Sequence, residues 1–342
     1  ESRLTEVLGS EIAGCLSIGL SRIDLGTTVR RLSCRHGLMS LINNIVTLQR
    51  NLLAVAKQHK NNKFMTYTHM QHAQPGNLAH FLESLIERFN DNIDQLIGAY
   101  SRVNRSPLGA AGLTGTSLNI DRMRTAELLG CDGLVFNSRL GRDAAYAAEL
   151  ACLLSATMST ANLLACDLHY CLSSDVQLLK LSDDFKGTSS IFPQKINPVT
   201  LEIIKWEAGL ATHEGTGDQA LQAVPVDQYL AKTTEMVQLL SGIVSTLQIF
   251  DDRIDQQHQE SWSATSALAD AFVRKQTVCV SNREAHHVMA RYVKICNDHG
   301  LKPADVRPEF LSRAGMEITG KVINMTASKL LNALNENAGT DH

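Results

Sequence analysis

"PGNLAHFLESLIERFNDNIDQLIGAYSRVN", residues 75–104, decides the fold class. Its apolar residues fall at Leu78, Phe81, Leu82, Leu85, Ile86, Phe89, Ile93, Leu96 and Ile97. Steps of three and four place them on one face of a 3.6-residue helix over many turns. Residues 142–172, 198–213 and 229–253 carry similar patterns. Helices longer than the usual three or so turns stabilise one another in bundles, often across subunits. The 342 residues include only 7 prolines, and few segments alternate with period two. The chain is therefore expected to be mainly α. After about residue 255 the segments shorten, which points to a smaller C-terminal helical domain.

Composition narrows the functional classes. Hydrophobic residues are 44% and charged residues 20%, the balance of a globular protein. The net charge of −3 and the lack of a basic run argue against a nucleic-acid partner. No apolar run reaches the roughly 18–20 residues needed to cross a bilayer, and no signal peptide opens the chain, so no membrane partner is expected. The 8 cysteines include no CxxC pair. Cys15, Cys152, Cys166 and Cys171 sit in apolar, helix-like stretches and read as buried reduced thiols, which favours a reducing, cytoplasmic compartment.

The interruptions between helices concentrate polar chemistry. "GTSSIFPQKINP", residues 187–198, holds Thr188, Ser189, Ser190, Lys195 and Asn197. Asn197 and Pro198 read as an N-cap and first helical residue, so the positive end of the next helix faces the serine loop and suits an anion. Lys195 adds a full charge. This combination fits a loop that closes on a carboxylate-bearing substrate; it also fits an ordinary solvated loop before a capped helix. No GxxxxGK[ST] precedes the helix, which argues against a nucleotide phosphate loop. "GAAGLTGTS", residues 109–117, follows no evident strand, and no nucleotide cofactor is expected.

"TYTHMQHAQP", residues 66–75, contains Thr68, His69, Gln71 and His72. Histidines at i and i+3 fit one helix face and a metal, but no third ligand stands at a suitable spacing, so no metal is expected. A satisfied structural histidine is the other reading for each. "GLSRIDLGTT", residues 19–28, places Ser21, Arg22 and Asp24 together. Arg22 either forks onto a substrate carboxylate or pairs with Asp24 at the surface.

Taken together, these segments resemble a known family. "GTSSIFPQKINP" is similar to the GSSxMPxKxNP signature of the fumarase/aspartase superfamily. "TYTHMQHAQP" resembles the GYTHLQxAQP segment of argininosuccinate lyases, "GLSRID" their GRSRND, "PLGAAGLTGTSLNIDR" their PLG-rich segment, and "NREAHH" at residues 282–287 their FREAHH. The matches occur in order over nearly the whole chain.

The resemblance implies a three-domain, mostly helical fold whose long central helices join in a homotetrameric twenty-helix core. Active sites would form where three subunits meet. Residues 1–25 would be a remnant of the N-terminal domain, with an N-terminal portion absent. Residues 26–255 would be the long-helix bundle with a catalytic loop at 182–197, and residues 256–342 the C-terminal domain. The implied reaction removes a proton beside a carboxylate and an amine from the neighbouring carbon, releasing fumarate through an aci-carboxylate. No cofactor is implied. Ser189 falls on the family base, with Lys195 and the helix start stabilising negative charge. His69 falls on the histidine that helps protonate the leaving nitrogen, and Glu202 on its carboxylate partner. Ser21, Arg22, Thr68, Thr188, Ser190, Asn197 and Gln71 fall on substrate-binding positions.

The chain also departs from the family pattern. Ile23 stands at the asparagine of SRND, Leu20 at the first arginine of GRSR, and Phe192 at the methionine of the signature. The segment that binds the arginine part of argininosuccinate is poorly matched by residues 224–235, where Tyr229 and Lys232 are candidate substitutes. The expectation is a carbon–nitrogen lyase acting on an N-substituted aspartate. The alternatives are an ethylenediamine-disuccinate-type lyase, run in either direction, and a catalytically silent relative of the δ-crystallin kind.

Overall fold

The computed structural model describes residues 2–16, 18–112, 114–214, 226–266, 268–269 and 280–335. Helices dominate, as the periodicity predicts. They are α1 (Ser2–Leu8), α2 (Ser10–Cys15), α3 (Arg22–Gln58), α4 (Leu78–Val103), α5 (Arg122–Leu128), α6 (Ala145–Leu172), α7 (Val199–Glu214), α8 (Val226–Ser245) and α9 (Asp251–Glu260). Shorter helices follow at Asn282–Asp298, Pro308–Thr319 and Ala327–Asn335. The described strands form two-stranded pairs only. Antiparallel pairs join β1 (Met65–Thr68) with β2 (Gln71–Pro75), β5 (Leu179–Lys180) with β8 (Gln248–Ile249), and β6 (Gly187–Thr188) with β7 (Ile196–Asn197). A parallel pair joins β3 (Arg105–Ser106) with β4 (Gly133–Leu134).

The first long helix comes earlier than the sequence reading places it: α3 runs for 37 residues. Cys34, Leu38, Leu41, Ile45, Leu48 and Leu52 are fully buried along it. Their alternating steps of four and three form the seam of a long helix packed on neighbours. Helix α8 approaches this helix closely, since a Cβ on Gly37 would run into the Leu230 side chain. In α4 the predicted face is buried at Leu78, Leu82, Leu85, Phe89 and Leu96, each worth about 1.5–3 kcal/mol when withdrawn from water. Phe81, Ile86 and Ile93 are half-buried. Ile97 departs from the expectation and is 53% exposed.

Helix α6 corrects two expectations. By length and composition it is apolar enough to cross a membrane, although no such segment was expected. Leu150, Leu154, Met158, Ala161, Leu164, Ala165 and Leu168 bury one side of it within the protein. Cys152, Ser159, Leu163 and Cys166 form an exposed stripe along another side. Cys152 and Cys166 are thus exposed thiols rather than buried ones, as is Cys15, while Cys171 is buried as expected. An apolar surrounding sequence does not say which way a cysteine points on a helix that is apolar on all sides. Cys279 lies outside the described residues.

The chain divides into two compact units: Glu1–Asn51 with Leu85–Tyr170 and Leu181–Thr246, and Leu52–Ser84 with Cys171–Lys180 and Leu247–His342. The first holds most of the long helices. The second has its own core of Val288, Met289, Tyr292, Ile295, Leu311, Ile323 and Leu330.

Candidate active site

The serine-rich loop is the tip of the β6–β7 hairpin in the first unit. Gly187 pairs with Asn197 and Thr188 with Ile196. A Cβ at residue 187 would lie 2.7 Å from Val199 Cγ2, so any larger residue there displaces that side chain. The base of the hairpin is anchored: Thr200 Oγ1 donates to the Phe185 carbonyl at 2.7 Å, and the Phe185 ring lies against Gly242 of α8. The tip is solvated, with Ser190, Ile191, Phe192 and Lys195 all exposed.

Inside this loop the backbone converges on one oxygen. Ser189 Oγ accepts the Phe192 amide at 3.1 Å and the Ile191 amide at 3.3 Å. The loop is closed by the Lys195 amide on the Phe192 carbonyl at 2.9 Å and the Ser189 amide on the Lys195 carbonyl at 3.3 Å. Two N–H dipoles aimed at a hydroxyl oxygen favour its anionic form. Helix α7 starts one residue later than expected. The Glu202 amide bonds the Pro198 carbonyl at 3.2 Å, so Pro198 takes the capping position and Asn197 remains in β7.

Glu202 lies in the first turn of α7 and is exposed, on the side that also exposes Ile203, Trp206 and Leu210. One turn on, Lys205 Nζ meets His169 Nδ1 of α6 at 2.7 Å. Burial, then the Lys205 charge, lowers the His169 pKa, while Glu202 pulls it upward. Neither Lys205 nor His169 stood out in the sequence, because 36 residues separate them.

Ser21 and Arg22 stand at the start of α3, in the same unit. Ser21 Oγ accepts the Ile23 amide at 3.3 Å, and Asp24 reaches back to accept the Ser21 amide at 2.8 Å. This is the reciprocal logic of a capping box. Asp24 is fully buried, so the surface pairing with Arg22 does not occur; Arg22 is exposed. The S-x-x-D spacing was the legible signal for this cap.

Thr68, His69 and Gln71 lie in the second unit, on the β1–β2 hairpin. Thr68 pairs with Gln71, leaving His69 and Met70 as the two turn residues. Their φ angles of 53° and 60° are both left-handed, as a type I′ turn requires. His69 is therefore an exposed hairpin tip, not a member of a helix face shared with His72. His72 packs across the hairpin on Tyr67, whose hydroxyl donates to Gln257 Oε1 and meets His72 Nε2, both at 3.0 Å. No cluster of three or more metal-ligating side chains occurs among the described residues.

The residues proposed to replace the arginine-binding segment do not present a free pocket wall. Tyr229 is buried in α8, and Lys232 pairs with Glu235 at 3.1 Å and Glu207 at 3.7 Å. Residues 224 and 225 of that segment lie outside the described residues.

The chain is similar to known proteins in both sequence and fold. A profile of the family described as lyase matches residues 1–211. Argininosuccinate lyase 1 of Shouchella clausii is 31% identical, over 98% of this chain and 70% of its own length. A variant of EDDS lyase with bound fumarate superposes with a TM-score of 0.89 at 30% identity, covering 98% of this chain and 69% of the other. The class II fumarase of Schistosoma mansoni shares the fold alone, with a TM-score of 0.74 at 15% identity, over 95% of this chain and 72% of its own. The fold is that of the mainly α fumarase/aspartase superfamily. The chain belongs to the lyase family, among its argininosuccinate lyase-like members.

Proposed function

We propose that the protein is a carbon–nitrogen lyase that eliminates the amine from an N-substituted aspartate of the argininosuccinate type and releases fumarate. The observation that carries this reading is the Ser189 hydroxyl held under the amides of Ile191 and Phe192 in a loop that also bears Lys195. A serine is a poor base unless its alkoxide is stabilised, and preorganised N–H groups with a nearby ammonium supply that. In the proposed mechanism Ser189 takes the proton beside the substrate carboxylate. Lys195, Asn197 and the start of α7 stabilise the aci-carboxylate. His69, oriented by Glu202, gives a proton to the departing nitrogen. Ser21, Arg22, Thr68, Thr188, Ser190 and Gln71 hold the carboxylates and the rest of the substrate.

The functional unit in this reading is a homotetramer in which three subunits build each site. Its support is the apolar surface left on the helices. Trp206 is 69% and Leu210 is 44% exposed on the α7 side that carries Glu202, and α6 exposes Leu163 between two cysteines. Surfaces of this kind are ordinarily covered by another chain. Within each chain, residues 26–255 form the bundle domain, with the catalytic loop at 182–197, and residues 256–342 the C-terminal domain. The absence of disulfides among the described residues favours the cytoplasm.

The test follows fumarate by its ultraviolet absorbance with argininosuccinate and ethylenediamine-disuccinate supplied separately. Release from argininosuccinate, reduced about 10²-fold or more by Ser189→Ala, is the expected result. Release from the second compound only would move the substrate to the aminopolycarboxylates. Release from neither, by wild type, would overturn the lyase reading.

A further inference from the structure

Asp24 has no direct place in the reaction above, yet its surroundings are the most fully built of any carboxylate described. Its side chain is 0% exposed. Oδ1 accepts the Ser21 and Leu25 amides, both at 2.8 Å. Oδ2 accepts the Gly109 amide at 3.0 Å and the Ala111 amide at 2.8 Å. Four N–H groups satisfy the acceptor sites of an ionised carboxylate, and no cation pairs with it among the described residues. Two of those amides come from the helix start that bears Ser21 and Arg22. The other two come from a loop 85 and 87 residues away.

That loop is shaped to present them. Gly109 and Ala111 have φ of 83° and 53°, left-handed conformations, and their two alternate amides converge on one oxygen as in an anion-binding nest, while the Ala110 amide between them bonds the Pro107 carbonyl at 3.0 Å. A Cβ on Gly109 would lie 2.8 Å from Arg122 Cγ and 2.9 Å from Ile120 Cδ1, so no larger residue fits. Arg122 holds the far side by donating to the carbonyls of Leu108 at 3.1 Å and Val135 at 3.0 Å. At the other end of the segment, Gly19 abuts Ile120, where a Cβ would lie 3.0 Å from Cδ1. Ser21 and Arg22 thus stand between two fixed points, Gly19 and Asp24, with the Arg22 side chain left exposed.

We propose that Asp24 is a positioning residue for substrate: by filling the Gly109–Ala111 nest it fixes the Ser21–Arg22 segment in the geometry that binds a substrate carboxylate. This rests on the reading of Ser21 and Arg22 as carboxylate binders. An asparagine at 24 keeps the shape but turns a donor toward amides that themselves donate, which releases the loop from the helix start. Only the carboxylate presents acceptors to all four.

The test compares wild type, Asp24→Asn, Gly109→Ala and Thr28→Val in full-length protein. Thr28 donates to the Asp24 main-chain carbonyl at 2.7 Å, so its loss perturbs the same turn without touching the nest. Asp24→Asn should raise KM for argininosuccinate and Ki for fumarate about tenfold, with kcat changed less than about threefold. Gly109→Ala should shift KM in the same direction, whereas Thr28→Val should lower the unfolding midpoint and leave KM alone. A folded Asp24→Asn protein with unchanged KM, or with a loss in kcat alone, would overturn the proposal; if that variant does not fold, Gly109→Ala decides on the same readout. If wild type does not turn over argininosuccinate, the substrate reading fails, and the proposal is judged by calorimetry with fumarate. Weaker fumarate binding in the variant sustains it; equal binding, or none by wild type, overturns it.

Discussion

Lys205 Nζ lies 2.7 Å from His169 Nδ1 across the α6–α7 contact. An ammonium donates and never accepts, so His169 is neutral and its proton sits on Nε2. Burial and the Lys205 charge both hold its pKa below the ordinary value, against the pull of Glu202. Removing the ammonium with Lys205→Met should move the His169 titration upward. Histidine-ring resonances followed by NMR against pH would report it, and an unmoved midpoint would show that Lys205 does not set the charge of His169.

Acid should weaken the fold through its histidines. His258 is 4% exposed, and neither ring nitrogen has a hydrogen-bond partner among the described residues. Burial first, and Lys63 next, lowers its pKa, opposed by Asp255. His72 and His169 are lowered as well. In each case the unfolded chain binds the proton more readily than the native one. The stabilisation is therefore complete above the unfolded value of about 6.5 and is lost as pH falls below it. Urea midpoints measured from pH 8 to 5 should decline, and His258→Phe should flatten part of that decline. Parallel curves for the two proteins would remove His258 from the explanation.

The hairpin that carries His69 holds a side chain where glycine is easier. Met70 has φ of 60° and is 66% exposed, so it adopts a left-handed conformation without burying much surface in return. Left-handed backbone costs a side-chain residue about 1–2 kcal/mol, and glycine loses about 0.5–1 kcal/mol of that advantage to unfolded-state entropy. Met70→Gly should therefore stabilise the protein by about 0.5 kcal/mol, read from denaturant midpoints. A destabilised variant would mean that Met70 packs against something in the assembled protein.

Assembly can be tested at Trp206. The ring is exposed on the α7 side that also carries Ile203 and Leu210. A carboxylate buried there by a partner chain would lack compensation, so Trp206→Glu should dissociate the proposed tetramer and abolish activity with it. Sedimentation velocity would separate the species. A tetrameric, active variant would exclude this side as the interface.

Some elements were legible because their signal is local. The α4 seam from Leu78 to Leu96 follows from helical spacing, and the polar loop at 187–198 announced itself by composition. Helix α3 was less visible for a definite reason. Its first turns place Asp24, Thr27, Thr28 and Arg31 on the buried side, so hydropathy does not mark the inner face there. Arg31 is accommodated by donating to the Arg102 carbonyl at 2.9 Å and lying 4.2 Å over the Tyr146 ring. The turn at His69–Met70 lacked the Asn-Gly signature that betrays a type I′ hairpin.

Residue order alone was enough for the helical class, the sequence of motifs and the polar composition of the loop. These depend on near neighbours along the chain, whose spacing is written in it. Folding decided which sides of the helices stay uncovered, as at Ile97, Cys152 and Trp206, and which partner each polar group meets. Asp24 lies two residues from Arg22 in sequence but is held by the amides of Gly109 and Ala111. A hydrogen bond requires atoms within about 3 Å in space, and for partners some 85 residues apart only the packed chain brings that about.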